Sequence, residues 1–174
     1  MRLLKQPGPL SPARHAIAWG EAGPSCRLTI GAGEDLMECL ITALARAGIE
    51  SAGLQLLGGV VARLSFMTGR AVEPGGGIAQ VATRSGPHEI ACPATVIGGN
   101  AILGRDGEGV PTLHVHATFV DASGAVRGGH LLPGRCIAGP GGLRLQVTAV
   151  EGAGFEVGAD RETGFDIFQP MAGS

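Results

Sequence analysis

Three histidines define the chemistry open to this chain. His114 and His116 lie two residues apart in the run from Pro111 to Leu132, and His130 closes the same run. Residues i and i+2 of a strand point to one face. A strand here therefore makes His114 and His116 neighbours, with Thr118 beyond them, while Leu113, Val115, Ala117 and Phe119 take the opposite, apolar face. Neutral imidazole suits a divalent transition metal such as zinc, copper, nickel or iron. Zinc is the first choice, and three histidines leave one coordination position for water or a small ligand. Because imidazole binds a metal in its neutral form, occupancy is expected to fall below about pH 6.

Whether His130 joins the other two depends on the turn between the strands. Asp121-Ala122-Ser123-Gly124 suits a type I turn followed by a left-handed glycine, which gives a three-residue loop with Asp121 opposite Ala125. Counting back, Val120 faces Val126, Thr118 faces Gly128 and His116 faces His130. A two-residue loop at Ser123-Gly124 shifts the register by one and sends His130 to the other face. Gly128 and Gly129, just before His130, would allow a ligand or another chain to approach closely. Glu89 is a lone carboxylate in a strand-like run, available as a hydrogen-bonding partner of a ligand or as a general base toward metal-bound water. The bland alternatives are a solvated polar patch for the histidines and a surface carboxylate for Glu89.

The elements that must position these residues read as an α+β domain with a largely antiparallel sheet and one main helix. Met1 to Ser25 carries several prolines and reads as an extended arm, with the domain following over residues 26–170. A short strand spans Cys26 to Ile30. Gly33 can cap the next helix, with Glu34 and Asp35 in its first turn. Leu36, Leu40, Ile41 and Leu44 follow helical spacing, and Gly48 ends the helix. Ile49 to Met67 is strand-like with a bend at Gly58-Gly59, and Ala71 to Gly77 is a loop. Further strands are expected at Ile78 to Arg84, His88 to Ile97, Asn100 to Leu103, Arg135 to Ala138 and Leu143 to Val150. Turns are expected at Arg105 to Gly109 and at Gly139 to Gly142. Gly31-Ala32-Gly33 lacks the third glycine and the βαβ context of a dinucleotide loop. No hydrolase elbow or Walker loop occurs; no catalytic motif is recognised, and enzyme activity stays open.

Composition bounds the rest. The chain has 174 residues, enough for one domain, and 31 glycines that recur between short apolar runs. Net charge is −2, and the 13 basic residues are scattered. Non-specific DNA affinity needs a basic face that neutralises several phosphates, and no such stripe is visible in sequence. Cys26, Cys39, Cys92 and Cys136 show no zinc-finger or CxxC spacing, and read as buried small hydrophobes of a reducing compartment. No apolar run reaches the ~20 residues of a membrane span, so the expected location is cytoplasmic.

The histidine hairpin resembles the signature of the PPC domain, the plants and prokaryotes conserved family. That signature has a Leu-His-x-His strand, an acidic-Gly turn and a Gly-Gly-His-Leu strand. Here these are Leu113-His114-Val115-His116, Asp121 to Gly124, and Gly129-His130-Leu131-Leu132. Gly33-Glu34-Asp35-Leu36 resembles the family's opening, Gly86-Pro87-His88-Glu89-Ile90 an internal segment, and Glu162-Thr163-Gly164-Phe165-Asp166 its end. The resemblance covers Cys26 to Phe168. It implies a PPC-like fold assembling as a homotrimer, with bacterial relatives labelled as candidate DNA-binding proteins and some metal-containing. Plant members place an Arg-Gly-Arg-Pro AT-hook before the domain; none occurs here, and His88 and Ala91 stand where relatives usually have larger apolar residues. DNA is accordingly expected to bind weakly at most. Three functions compete: a trimeric metal-binding module, a metal-dependent enzyme using a metal-bound water, and a DNA-associated transcriptional regulator acting without an AT-hook.

Overall fold

The alternation that makes a strand of the histidine run recurs along most of the chain, and the computed structural model is dominated by one sheet. It describes residues 3–4, 16–72, 81–91, 93–160 and 165–173. In chain order the elements are β1 (Leu3–Leu4), β2 (Glu21–Ile30), α1 (Leu36–Arg46), β3 (Ala52–Val72), β4 (Val81–Ile90), β5 (Ala94–Arg105), β6 (Pro111–Val120), β7 (Val126–Glu151), β8 (Ala153–Asp160) and β9 (Phe165–Ala172). The sheet order is β1-β4-β3-β7-β6-β5-β8-β9, with β2 added on β7. Every pairing is antiparallel except a parallel bridge between Arg105 of β5 and Glu156 of β8. The sheet is thus mixed, though largely antiparallel as expected.

β3 organises the molecule. It pairs with β4, β5 and β7, while β6 pairs with both β5 and β7. Strands β3, β5, β6 and β7 therefore close into a ring, and the inward residues make one continuous core with Phe119, Leu64, Val61, Val115 and Leu131 fully buried. Phe66 meets Phe119 edge-on at 5.1 Å between ring centroids, a favoured aromatic geometry. With so few aromatic residues, aliphatic side chains fill the remaining volume.

α1 buries Leu36, Met37, Leu40 and Leu44 and packs mainly on β7. Its N-cap is Asp35, not Gly33: Asp35 Oδ1 accepts from Met37 N at 3.0 Å and Glu38 N at 3.1 Å. The other oxygen, Oδ2, accepts from Cys136 N at 3.0 Å and ties the helix start to β7. A carboxylate can serve both ends at once, which glycine cannot. Gly48, at φ 68°, follows the helix end as expected.

Several strands differ from their sequence reading. β2 begins at Glu21 rather than Cys26. β4 runs through Gly86-Pro87, absorbing them as a bulge between the pairs Phe66–His88 and Thr68–Ser85, and the break falls instead between Ile90 and Ala94. Gly139 to Gly142 does not turn the chain back: β7 passes through it as one strand of 26 residues. β8 and β9 form a C-terminal hairpin that the sequence pattern left unread. Cys136 is buried, but Cys26 is exposed. Most of the N-terminal arm with His15, most of the Ala71 to Gly77 loop, the start of the Ile78 strand, Cys92 and Glu162 to Gly164 lie outside the described residues. Among the described residues no helix is long and apolar enough to cross a membrane.

Candidate metal centre

β6 alternates strictly. Leu113, Val115, Ala117 and Phe119 are buried, while His114, His116 and Thr118 are exposed. The core therefore fixes the strand, and the strand sets the histidines on its outer face.

The turn then decides His130. Asp121 N donates to Ala125 O at 3.0 Å and Gly124 N to Asp121 O at 2.9 Å; Gly124 has φ 82°, a conformation glycine adopts without steric cost. Asp121 Oδ1 accepts from Ser123 N at 2.9 Å and Ala125 N at 3.1 Å, and Oδ2 accepts from Arg127 Nε. The Ser123 hydroxyl and the Arg127 guanidinium hold this carboxyl well below the usual carboxylate range. The resulting register is the three-residue one: Val120 opposite Val126, Thr118 opposite Gly128, and His116 opposite His130.

All three imidazoles thus meet. Ring centroids lie 4.7 Å apart for His114 and His116, 4.4 Å for His114 and His130, and 5.5 Å for His116 and His130. His114 Nε2 and His116 Nε2 share a hydrogen bond of 3.0 Å, the donor set by the tautomer. One ligand atom from each ring falls within 4.8 Å of the others. Bonds of about 2.05 Å to a tetrahedral zinc place its nitrogens roughly 3.3 Å apart, a spacing within that limit. His114 and His116 are exposed and His130 is half-buried. The donor set therefore fits a divalent transition metal, with one side facing solvent.

The surroundings add residues that sequence reasoning did not find. Phe168 of β9 stands edge-on to His114 at 6.3 Å; it arrives through the hairpin that no pattern announced. Asn100 of β5 lies opposite His116, and Ile102 opposite His114. Glu89 accepts from Arg135 Nη1 at 3.1 Å and from Ser65 Oγ at 3.3 Å, and does not belong to the convergent group. The close approach at Gly129 is made by β3: a Cβ there would stand 2.3 Å from Met67 O. At Gly128 a Cβ would stand 2.9 Å from Ala117 O of β6. His88 rests against the Phe66 ring, with centroids 5.3 Å apart, away from the trio.

Comparison with known proteins follows the same line. Residues 19–148 match the Plants and Prokaryotes Conserved (PCC) domain. No curated protein matches the chain. Among solved structures, a metal-containing protein from Archaeoglobus fulgidus superposes with a TM-score of 0.65 at 19% identity, covering 89% of this chain and 99% of that one. A plant- and prokaryote-conserved (PPC) protein from Pyrococcus horikoshii gives 0.63 at 16% identity, covering 89% and 97%. A "putative DNA binding protein" from Bacteroides thetaiotaomicron gives 0.62 at 13% identity, covering 86% and 96%. The last description does not favour the expectation, drawn from charge, that DNA is a poor partner.

Proposed function

The chain belongs to the Plants and Prokaryotes Conserved domain family, and from that premise we propose that it is a trimeric metal-binding protein whose His114, His116 and His130 hold one divalent transition metal, zinc first. The observation that carries this reading is the convergence of three imidazole nitrogens on one face. The metal-containing neighbour supports it. When bound, such an ion supplies a Lewis acid with an open position for water or a small ligand. The protein's own part is positional. β6 and β7 hold the rings through the core behind them, Phe168 covers one side of His114, and Asn100 brings a carboxamide beside His116.

Metal analysis of the purified protein tests this. The wild type should carry stoichiometric metal, and His130→Ala should lose it while His88→Ala keeps it. Equal metal in wild type and His130→Ala would refute the reading. The trimer, supported by family resemblance and by exposed Leu57, Ile97 and Val126, predicts about three subunit masses by light scattering.

DNA contact is the second reading, favoured by the DNA-binding description of a structural neighbour. Titration at physiological salt separates the two. A tight, sequence-selective complex favours a regulator; weak, sequence-independent binding that fades with added salt favours the metal-binding module alone.

A further inference from the structure

The histidine face continues sideways across the ring of strands. Gln55 of β3 stands opposite Asn100 of β5, Asn100 opposite His116 of β6, and His116 opposite His130 of β7. Opposed residues of an antiparallel pair share a face, and neighbouring strands lie roughly 4.8 Å apart. Leu54, Leu56, Ala101 and Leu103 point into the core, which leaves Gln55 and Asn100 exposed on the outer side. Two carboxamides therefore extend the histidine trio along one row.

The row has a bare floor. The outward neighbours of Gln55 and Asn100 along their strands include Gly53 and Gly98. A Cβ added at Gly53 meets nothing within 4 Å, and one at Gly98 meets only Leu56 O, at 3.7 Å. Beyond Gln55 the row runs on to Gln146 and Arg27, but these are engaged. Arg27 Nε donates to Gln146 Oε1 at 3.3 Å, and Gln146 Nε2 to Ser25 Oγ at 2.5 Å. The Gln55 and Asn100 carboxamides have no protein hydrogen-bond partner among the described residues.

Charge selects the group at the histidine end. Neutral imidazoles bring no negative charge, and among the described residues no carboxylate joins the trio. A divalent ion held there keeps its full charge and favours an anion at the open position. A phosphate would call for guanidinium or further N–H donors around it, whereas carboxamides suit neutral groups. A carboxamide sets an acceptor and a donor side by side, which matches hydroxyls on adjacent carbons.

Resting on the metal-binding reading above, we infer that this row binds a small polyhydroxy carboxylate, with its carboxylate at the open metal position and its hydroxyls on Asn100 and Gln55.

Cobalt(II)-loaded protein, freed of excess metal, provides the test, because its visible absorption reports on ligands that enter the coordination sphere. Gluconate should change that spectrum saturably, with the cobalt retained on ultrafiltration. Acetate, which lacks the hydroxyls, and sorbitol, which lacks the carboxylate, should each bind about tenfold more weakly or worse. Asn100→Ala and Gln55→Ala should hold as much cobalt as wild type, weaken gluconate binding about fivefold each, and leave acetate binding unchanged. Thr95→Ala, on the outer face of β5 away from the row, should leave both unchanged. If the histidines hold cobalt but gluconate binds no better than acetate, strips the metal, or weakens equally in Thr95→Ala, the inference is overturned and the metal reading stands. If wild type and His130→Ala take up equal cobalt, the metal reading falls and this inference falls with it.

Discussion

Gly129→Ala tests whether the neighbouring strands fix the histidine register. A Cβ at Gly129 would stand 2.3 Å from Met67 O and 3.1 Å from Phe66 Cδ2. Relief needs a shift of about 1 Å to reach ordinary van der Waals separation. β7 has little room to give it: on one side Phe66 and Met67 pair with Leu131 and His130, and on the other Ala117 pairs with Gly129 itself. Overpacking in such a place costs about 3 kcal/mol, near the upper end of the usual range. The lower chain entropy of alanine in the unfolded state returns roughly 0.4–1 kcal/mol. A net loss of about 2 kcal/mol corresponds to a melting temperature lower by roughly 4–8 °C in a chain of this size. Gly53→Ala is the control, because a Cβ there meets nothing within 4 Å; it should be neutral or slightly stabilising. Urea denaturation of both variants measures the difference, and metal content follows His130. Gly129→Ala within about 0.5 kcal/mol of wild type, or Gly53→Ala equally damaged, would refute the packing argument.

Asp35→Ala removes both the cap of α1 and the acceptor for Cys136 N, and should cost about 2–4 kcal/mol; Asp35→Asn should recover part of it, which denaturant titration will show. Asp121 is held below the usual carboxylate range chiefly by its bond from Ser123, then by Arg127. Its stabilisation of the turn is therefore present above the unfolded carboxyl's value and lost as pH falls through the lower, folded one. Asp121→Asn should flatten that acid limb in a pH series of melting curves, and an unchanged limb would count against it. Burial pushes the Cys136 thiol up to about 12, with Asp35 adding to the effect. At pH 8 iodoacetamide should modify exposed Cys26 quickly and Cys136 only on unfolding, as peptide mass mapping can check.

The histidine face was legible because its signal is local. Alternation set His114 beside His116, and the chemistry of one short turn brought His130 opposite. The helix was legible for a similar reason, since Leu36, Leu40 and Leu44 keep their period. What escaped depends on distant chain. Gly139 and Gly142 look like turn residues, yet each sits where another strand passes closely. A Cβ would meet Val60 Cγ1 at 2.8 Å at the first and Ile30 O at 2.3 Å at the second. Glycine there permits packing between strands rather than reversal, and no neighbouring residue says so. Gly86-Pro87 misled in the same way, being absorbed as a bulge inside β4. The cap passed from Gly33 to Asp35 because Cys136, far along the chain, needs the second oxygen. Phe168 was invisible to site reasoning because its hairpin acquires its place only by meeting β5.

Beyond the closed ring of β3, β5, β6 and β7, β2 and β9 stand at margins of the described sheet with Pro24 and Pro170, and β4, covered by β1 only at Ala82 and Thr83, contains Pro87. A residue without an N–H cannot complete a ladder with an incoming strand. Sheet growth from one copy to the next is therefore opposed at these three positions, a device that guards a β-rich chain against fibre formation. Self-association is left to the sheet faces and to exposed side chains such as Leu57, Ile97 and Val126, where contact can close on itself at a defined number of copies.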